Sequence, residues 1–193
     1  MRRALYFLAA VLVGAASTAS AQARAVTMAR LVTQAKGPPQ LAVHVSNLLD
    51  DPEWLEPWGN AYFVQLHWKV QLWQERTFIN ASLPPLEWDV CVQQVPGLDL
   101  FNYGERFTGR PTRKTFSTLD SLKAWLTSDV APPAQALSPG KWYYLIDVHV
   151  STSAEDPCDP RTASGGGLKG LIQGTGPTRD LPQKKLPFTV PGP

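Results

Sequence analysis

Along residues 61–78, apolar and polar side chains take turns. Tyr62, Val64, Leu66, Trp68, Val70 and Leu72 hold one set of positions; Phe63, Gln65, His67, Lys69, Gln71 and Trp73 hold the other. Successive side chains of a strand point to opposite faces, so this period of two predicts a long strand with a buried face and a wetter one. A helix would scatter the same apolar set around its axis. The alternation runs for about twice the common strand length of ~5–6 residues, which marks it as the central strand of a β-rich domain.

Shorter runs repeat the period. Leu41, Val43 and Val45 alternate with Ala42, His44 and Ser46. Residues 86–95 set Leu86, Trp88, Val90 and Val92 against Asp89, Cys91 and Gln93, and residues 141–151 set Trp142, Tyr144, Ile146, Val148 and Val150 against Tyr143, Leu145, Asp147 and His149. Segments 98–103 and 105–108 read as two strands separated at Gly104 by a bulge or hairpin. Asp50-Asp51-Pro52 opens a turn or short helical stretch that ends near Gly59. Consecutive prolines at Pro84-Pro85 cannot extend a ladder, and Pro96-Gly97 is a turn signal. Over about 118–128 the period becomes helical: Leu119, Leu122, Trp125 and Leu126 share one face, with Ser117 and Asp120 as a capping pair. Turn connections favour antiparallel pairing. The expected fold is all-β with one short helix, an antiparallel β-sandwich of the immunoglobulin-like kind. An open sheet covered by the helix is the alternative.

The first 21 residues stand apart. Arg2 and Arg3, an apolar run over 4–16 and the small residues Ala19-Ser20-Ala21 follow the order of a secretory signal peptide, with Gln22 as the first mature residue and cleavage after Ala23 as the neighbouring choice. An uncleaved anchor is the alternative, but the run is short against the ~20 apolar residues of a bilayer crossing. Residues 22–39 are polar, end in Gly37-Pro38-Pro39 and suit a flexible leader; 40–160 form the sandwich domain; 161–193 form a Gly- and Pro-rich tail. The expected location is secreted or periplasmic.

Charge changes the picture little. The 18 Lys and Arg fall to 16 once Arg2 and Arg3 are removed, against 16 Asp and Glu, so the mature chain is near neutral and carries no nucleic-acid footprint. Seven Trp and 18 Pro suit strands with stiff connections rather than a helical bundle. Cys91 and Cys158 are a candidate disulfide in an oxidising compartment, with two free thiols as the alternative.

Candidate chemistry is sparse. His44, His67 and His149 all lie on the minority faces of their strands, and on neighbouring strands they would be candidates to converge on a metal beside Asp147. No spacing motif accompanies them, so no metal site is assigned. There is no Gly-x-Ser-x-Gly elbow. The run Gly165-Gly166-Gly167-Leu168-Lys169-Gly170 lacks the Gly-Lys-Ser/Thr order of a phosphate loop and reads as a linker. Glu75, Glu87 and Asp89 are the acids nearest the sheet, with surface solvation as their expected role. The basic run Arg106, Arg110, Arg113 and Lys114 suits a solvated loop. Among the tryptophans, Trp68, Trp88, Trp125 and Trp142 belong to apolar faces, whereas Trp54, Trp58 and Trp73 are free to form an exposed, glycan-binding trio.

The order of landmarks over about 41–156 resembles a family of exported bacterial proteins known only as a numbered domain of unknown function. It rests on the strand at 41–49, Trp73-x-Glu75-Arg76, Glu87-Trp88-Asp89-Val90, Phe116-Ser117-Thr118-Leu119, and Leu137-x-Pro139-Gly140 before Trp142-Tyr143-Tyr144. The resemblance implies an envelope-signalling partner and no catalytic signature. The sequence thus points to an exported, non-enzymatic domain that takes no cofactor and acts through an envelope protein partner. A glycan-binding module and a hydrolase with an unrecognised site are the alternatives.

Overall fold

The period-two segments fold as strands and the helical segment as a helix. The computed structural model describes residues 23–34, 38–107, 110–132, 136–159 and 176–192. Its elements, in chain order, are β1 (Val26–Val32), β2 (Gln40–Ser46), α1 (Pro52–Gly59), β3 (Phe63–Gln74), β4 (Ala81–Ser82), β5 (Leu86–Gln94), β6 (Phe101–Phe107), β7 (Arg110–Phe116), α2 (Leu119–Leu126), β8 (Gly140–Ser153), β9 (Thr178–Asp180) and β10 (Lys184–Val190). The expected signal peptide and the 164–170 linker lie outside the described residues. No helix among the described residues is long and apolar enough to cross a membrane.

Two antiparallel sheets result. The larger runs in the order β10-β8-β3-β5-β6-β7, with β4 on β3 and β9 on β8; the smaller is the β1–β2 ribbon. The central buried β3 residues meet apolar neighbours on both sides: Leu66 lies opposite Val90 and Val150, Trp68 opposite Trp88 and Val148, and Val70 opposite Leu86 and Ile146. Trp68 and Trp88 stack at 5.2 Å. This face is covered by Leu41, Val43 and Val45 of the ribbon, Trp54 and Trp58 of α1, and Leu122 of α2. The opposite face carries the polar half of the alternation.

Several segments differ from expectation. The 22–39 leader contains β1, paired with β2 over seven residues from Val26↔Ser46 to Val32↔Gln40. Its hydrophobic cue is inverted, because Val26, Met28 and Val32 are exposed while polar Thr27 is buried. The tail contains β9 and β10. β10 pairs with β8 along its whole length, and Pro187 is tolerated because β10 is an edge strand. A second helix, α1, forms where a turn or helical stretch was expected; Asp51 caps it by accepting from the Glu53 amide at 3.2 Å. Thr118 rather than Ser117 caps α2.

β6 passes through Gly104 without interruption, and the basic run after it is a strand, β7. Gly104 serves another purpose. Cys91, its register partner, is disulfide-bonded to Cys158, and a Cβ on Gly104 would lie 3.1 Å from the Cys158 Cβ. The glycine therefore leaves room for the loop that brings Cys158 across the strand. That loop is also held by Arg113, whose guanidinium lies 2.6 Å from Asp156 and 3.8 Å from Asp159.

Candidate functional site

The ribbon does not cover the large sheet completely. Between β2, α2 and strands β3, β5 and β6 lies a cleft of about 220 Å³, with Leu66, Trp68, Val90, Trp125 and Leu126 as its apolar lining and His44, Asp129, Glu105 and Tyr103 as its polar groups. Local structure places the polar groups. A short antiparallel bridge between Val43 and Val130 (N–H···O 3.0 and 2.8 Å) sets Asp129 beside His44, whose Nδ1 lies 3.0 Å from Asp129 Oδ1. The other carboxylate oxygen receives the Arg30 guanidinium from β1, with Nε at 3.2 Å. Arg30, followed by His44, holds the Asp129 carboxyl below the usual carboxylate range. Across the cleft, Tyr103 donates to Glu105 Oε2 at 3.1 Å, and burial together with the Glu105 charge pushes the phenol well up, leaving it a donor at neutral pH. Trp125 closes the rim, edge-on to Tyr103 at 6.0 Å and with the Lys114 ammonium 3.1 Å above its ring.

Ser128 is the hydroxyl nearest in sequence to this His–Asp pair, and it donates to the Trp125 carbonyl at 2.6 Å. The Ser128 proton is therefore directed at that carbonyl and not at His44. Comparison with family models, with curated proteins and with solved structures found no match.

A second polar constellation crosses the open face of the large sheet. Asp180, His149, His67, Asp89 and Arg106 are successive register partners on β9, β8, β3, β5 and β6. Asp89 is its hub. Expected to be solvated, its side chain is instead buried, and its carboxylate accepts from Gln65 Nε2 at 2.9 Å, His67 Nδ1 at 2.9 Å, and Arg106 Nε and Nη2 at 3.1 and 2.5 Å. Burial pushes the Asp89 carboxyl up, but the bonds from His67, Arg106 and Gln65 outweigh it and the net direction is down. The same bond raises His67 against the opposing effect of its burial.

The three histidines thus divide: His67 and His149 are neighbours, while His44 lies on the ribbon in the cleft. Asp147 accepts from Gln183 at 2.6 Å. Glu75 and Glu87 stay at the surface, opposite Lys185 at 3.6 Å and Lys69 at 3.8 Å. The aromatic trio is not assembled. Trp54 and Trp58 are buried, the latter stacked on Phe101 at 5.6 Å, because α1 lies against the core; Trp73 is half-buried and stacks on Tyr143 at 6.4 Å on the open face. Three members of the basic run are engaged internally: Arg106 by Asp89, Arg113 by the Cys158 loop and Lys114 by Trp125.

Asp129 and Asp180 have no local sequence signal. Each meets its histidine across a long separation, 85 and 31 residues, so period and spacing give no hint of either. Among the described residues, the His, Cys, Asp and Glu ligand atoms that gather three together within 4.8 Å belong to Cys91, Asp156 and Cys158. The disulfide leaves that group without a thiolate.

Proposed function

We propose that the protein is an exported, non-enzymatic binding domain. Its cleft takes an apolar group with a hydrogen-bonding end, presented by a protein partner in the cell envelope. The observation that carries this is the lining of the cleft: an aromatic and aliphatic floor with a few oriented polar groups, the composition of a binding site rather than of a gap in packing. Each polar group is already hydrogen-bonded or ion-paired, so the surface is preorganised and little conformational entropy is lost on binding. Trp125, 37 % exposed at the rim, is the residue type that most often anchors an interface. The signal-like N-terminus supports export, and the family resemblance supports an envelope partner. Two β layers facing one core support a sandwich description. The inequality of the layers, a two-stranded ribbon against an eight-stranded sheet, departs from the immunoglobulin-like arrangement.

The test is quantitative crosslinking capture from envelope extract, run in parallel with Trp125→Ala and His44→Ala. Wild type is expected to capture a defined species that both variants lose. Equal capture by all three would move the interface away from the cleft, and no capture above background by wild type would remove the protein-partner assignment.

A further inference from the structure

The cross-strand pair His67–His149 has a geometry that the cleft does not use. The two residues are register partners on β3 and β8, so they project from the same face with Cα atoms about 4.5–5.5 Å apart. Their imidazoles are bound on opposite flanks. His67 Nδ1 lies 2.9 Å from Asp89 Oδ1 on β5, and His149 Nδ1 lies 2.8 Å from Asp180 Oδ1 on β9. An ionised carboxylate only accepts, so each Nδ1 donates its proton to its carboxylate and Nε2 is the ring atom left for an ion. A carboxylate fixing one ring nitrogen while the other faces outward is the arrangement that surrounds metal-bound histidine in proteins. Both rings are reachable, with side chains 41 % and 44 % exposed. Asp89 is itself fixed by Gln65 and Arg106, which locks the His67 ring orientation.

We propose that His67 and His149 bind a divalent transition ion of the imidazole-preferring class, Zn²⁺, Ni²⁺ or Cu²⁺, through their Nε2 atoms, with water in the remaining positions. Asp89 and Asp180 are positioning residues that orient the rings. The site is separate from the cleft, so it stands or falls independently of the proposed partner binding.

The test uses the full chain, free of any polyhistidine tag, titrated with Zn²⁺ and with Cu²⁺ by calorimetry. One ion per chain is expected. His149→Ala should weaken binding at least tenfold, Asp180→Asn by ~10-fold or more, and His44→Ala should leave it unchanged. Asp180 is an exposed side chain, so its variant tests the site without threatening the fold. Electron paramagnetic resonance of the Cu²⁺ form should show coupling to two nitrogen nuclei in wild type and to one in His149→Ala. Absence of saturable binding at millimolar ion would overturn the proposal. So would binding that His149→Ala leaves intact, or a Cu²⁺ spectrum without two-nitrogen coupling.

Discussion

Replacing Cys91 and Cys158 together by alanine should cost about 4 kcal/mol of stability. The crosslink joins residues separated by 67 positions. In the chain-entropy treatment, a loop of that length restricts the unfolded chain by ~4 kcal/mol at 25 °C. For a chain of this size each kcal/mol moves the melting temperature by ~2–4 °C, so a fall of ~8–16 °C follows. The Arg113 contacts to Asp156 and Asp159 do not compensate: the arginine is half exposed, and such pairs contribute ~0–1 kcal/mol. Urea unfolding followed by circular dichroism and tryptophan fluorescence gives the comparison among oxidised wild type, reduced wild type and the double variant. The last two should coincide. Their dependence on urea should also be steeper, because the released chain exposes more surface when unfolded. A double variant within about 1 kcal/mol of oxidised wild type, beyond the usual extrapolation error, would refute the assignment of the crosslink's effect to the unfolded chain.

Three further outcomes follow from the same geometry. Gly104→Ala should destabilise by ~1 kcal/mol or more, since the added Cβ meets Cys158 at 3.1 Å, and the loss should shrink in the cysteine-free background where the loop can retreat; a double-mutant cycle reads the difference. Asp51→Ala should cost ~3 kcal/mol, because it removes the α1 cap, the acceptor for the Ala25 amide at 2.8 Å and the partner of Arg179 at 2.6 Å; a melting temperature within 2 °C of wild type, under ~1 kcal/mol, would count against it. The His67–Asp89 pair should make stability pH-dependent in both directions. Asp89, lowered in the fold, contributes above its unfolded value of ~3.9 and loses that contribution as pH falls through its folded value; His67, raised, contributes fully below ~6.5 and loses it as pH rises through its folded value. Wild type should therefore gain most over His67→Gln between about pH 4 and 6.5, and a difference that stays flat from pH 5 to 9 would sink the argument.

The strands with clean alternation were legible because a single property, apolar on every second residue, decides them. β3, β5 and β8 needed nothing else. β1 was hidden because its buried residue is Thr27 and its apolar residues face out, and β10 because Pro187 resembles a breaker until the strand is known to be an edge. Trp54 and Trp58 looked free because a short proline-containing helix does not declare which way it packs. The polar constellations were half legible. The minority-face position of all three histidines was correctly read, and the adjacency of His67 and His149 follows once β3 and β8 are paired. Asp89 could not be recognised as a buried hub, since its burial depends on Gln65 and Arg106 from two different strands. The cleft is set by how far a ribbon from one part of the chain extends over a sheet made by others, and no local pattern encodes that.

The pairing of β3 with β8 has a kinetic consequence. The widest ladder of the sheet, from Phe63↔Ser153 to Gln74↔Trp142, joins segments far apart in the chain, while β5, β6 and β7 pair with their sequence neighbours. Closing so large a loop costs entropy before any contact returns it, and folding rates fall as contacts become less local. The β5–β6–β7 meander can assemble early, but β3 keeps one unpaired edge until Gly140–Ser153 arrives, and β8 keeps its own until Lys184–Val190 does. A chain built this way folds slowly and spends that time with open edges. Such a delay makes the folding chain dependent on whatever shields those edges until their partners arrive.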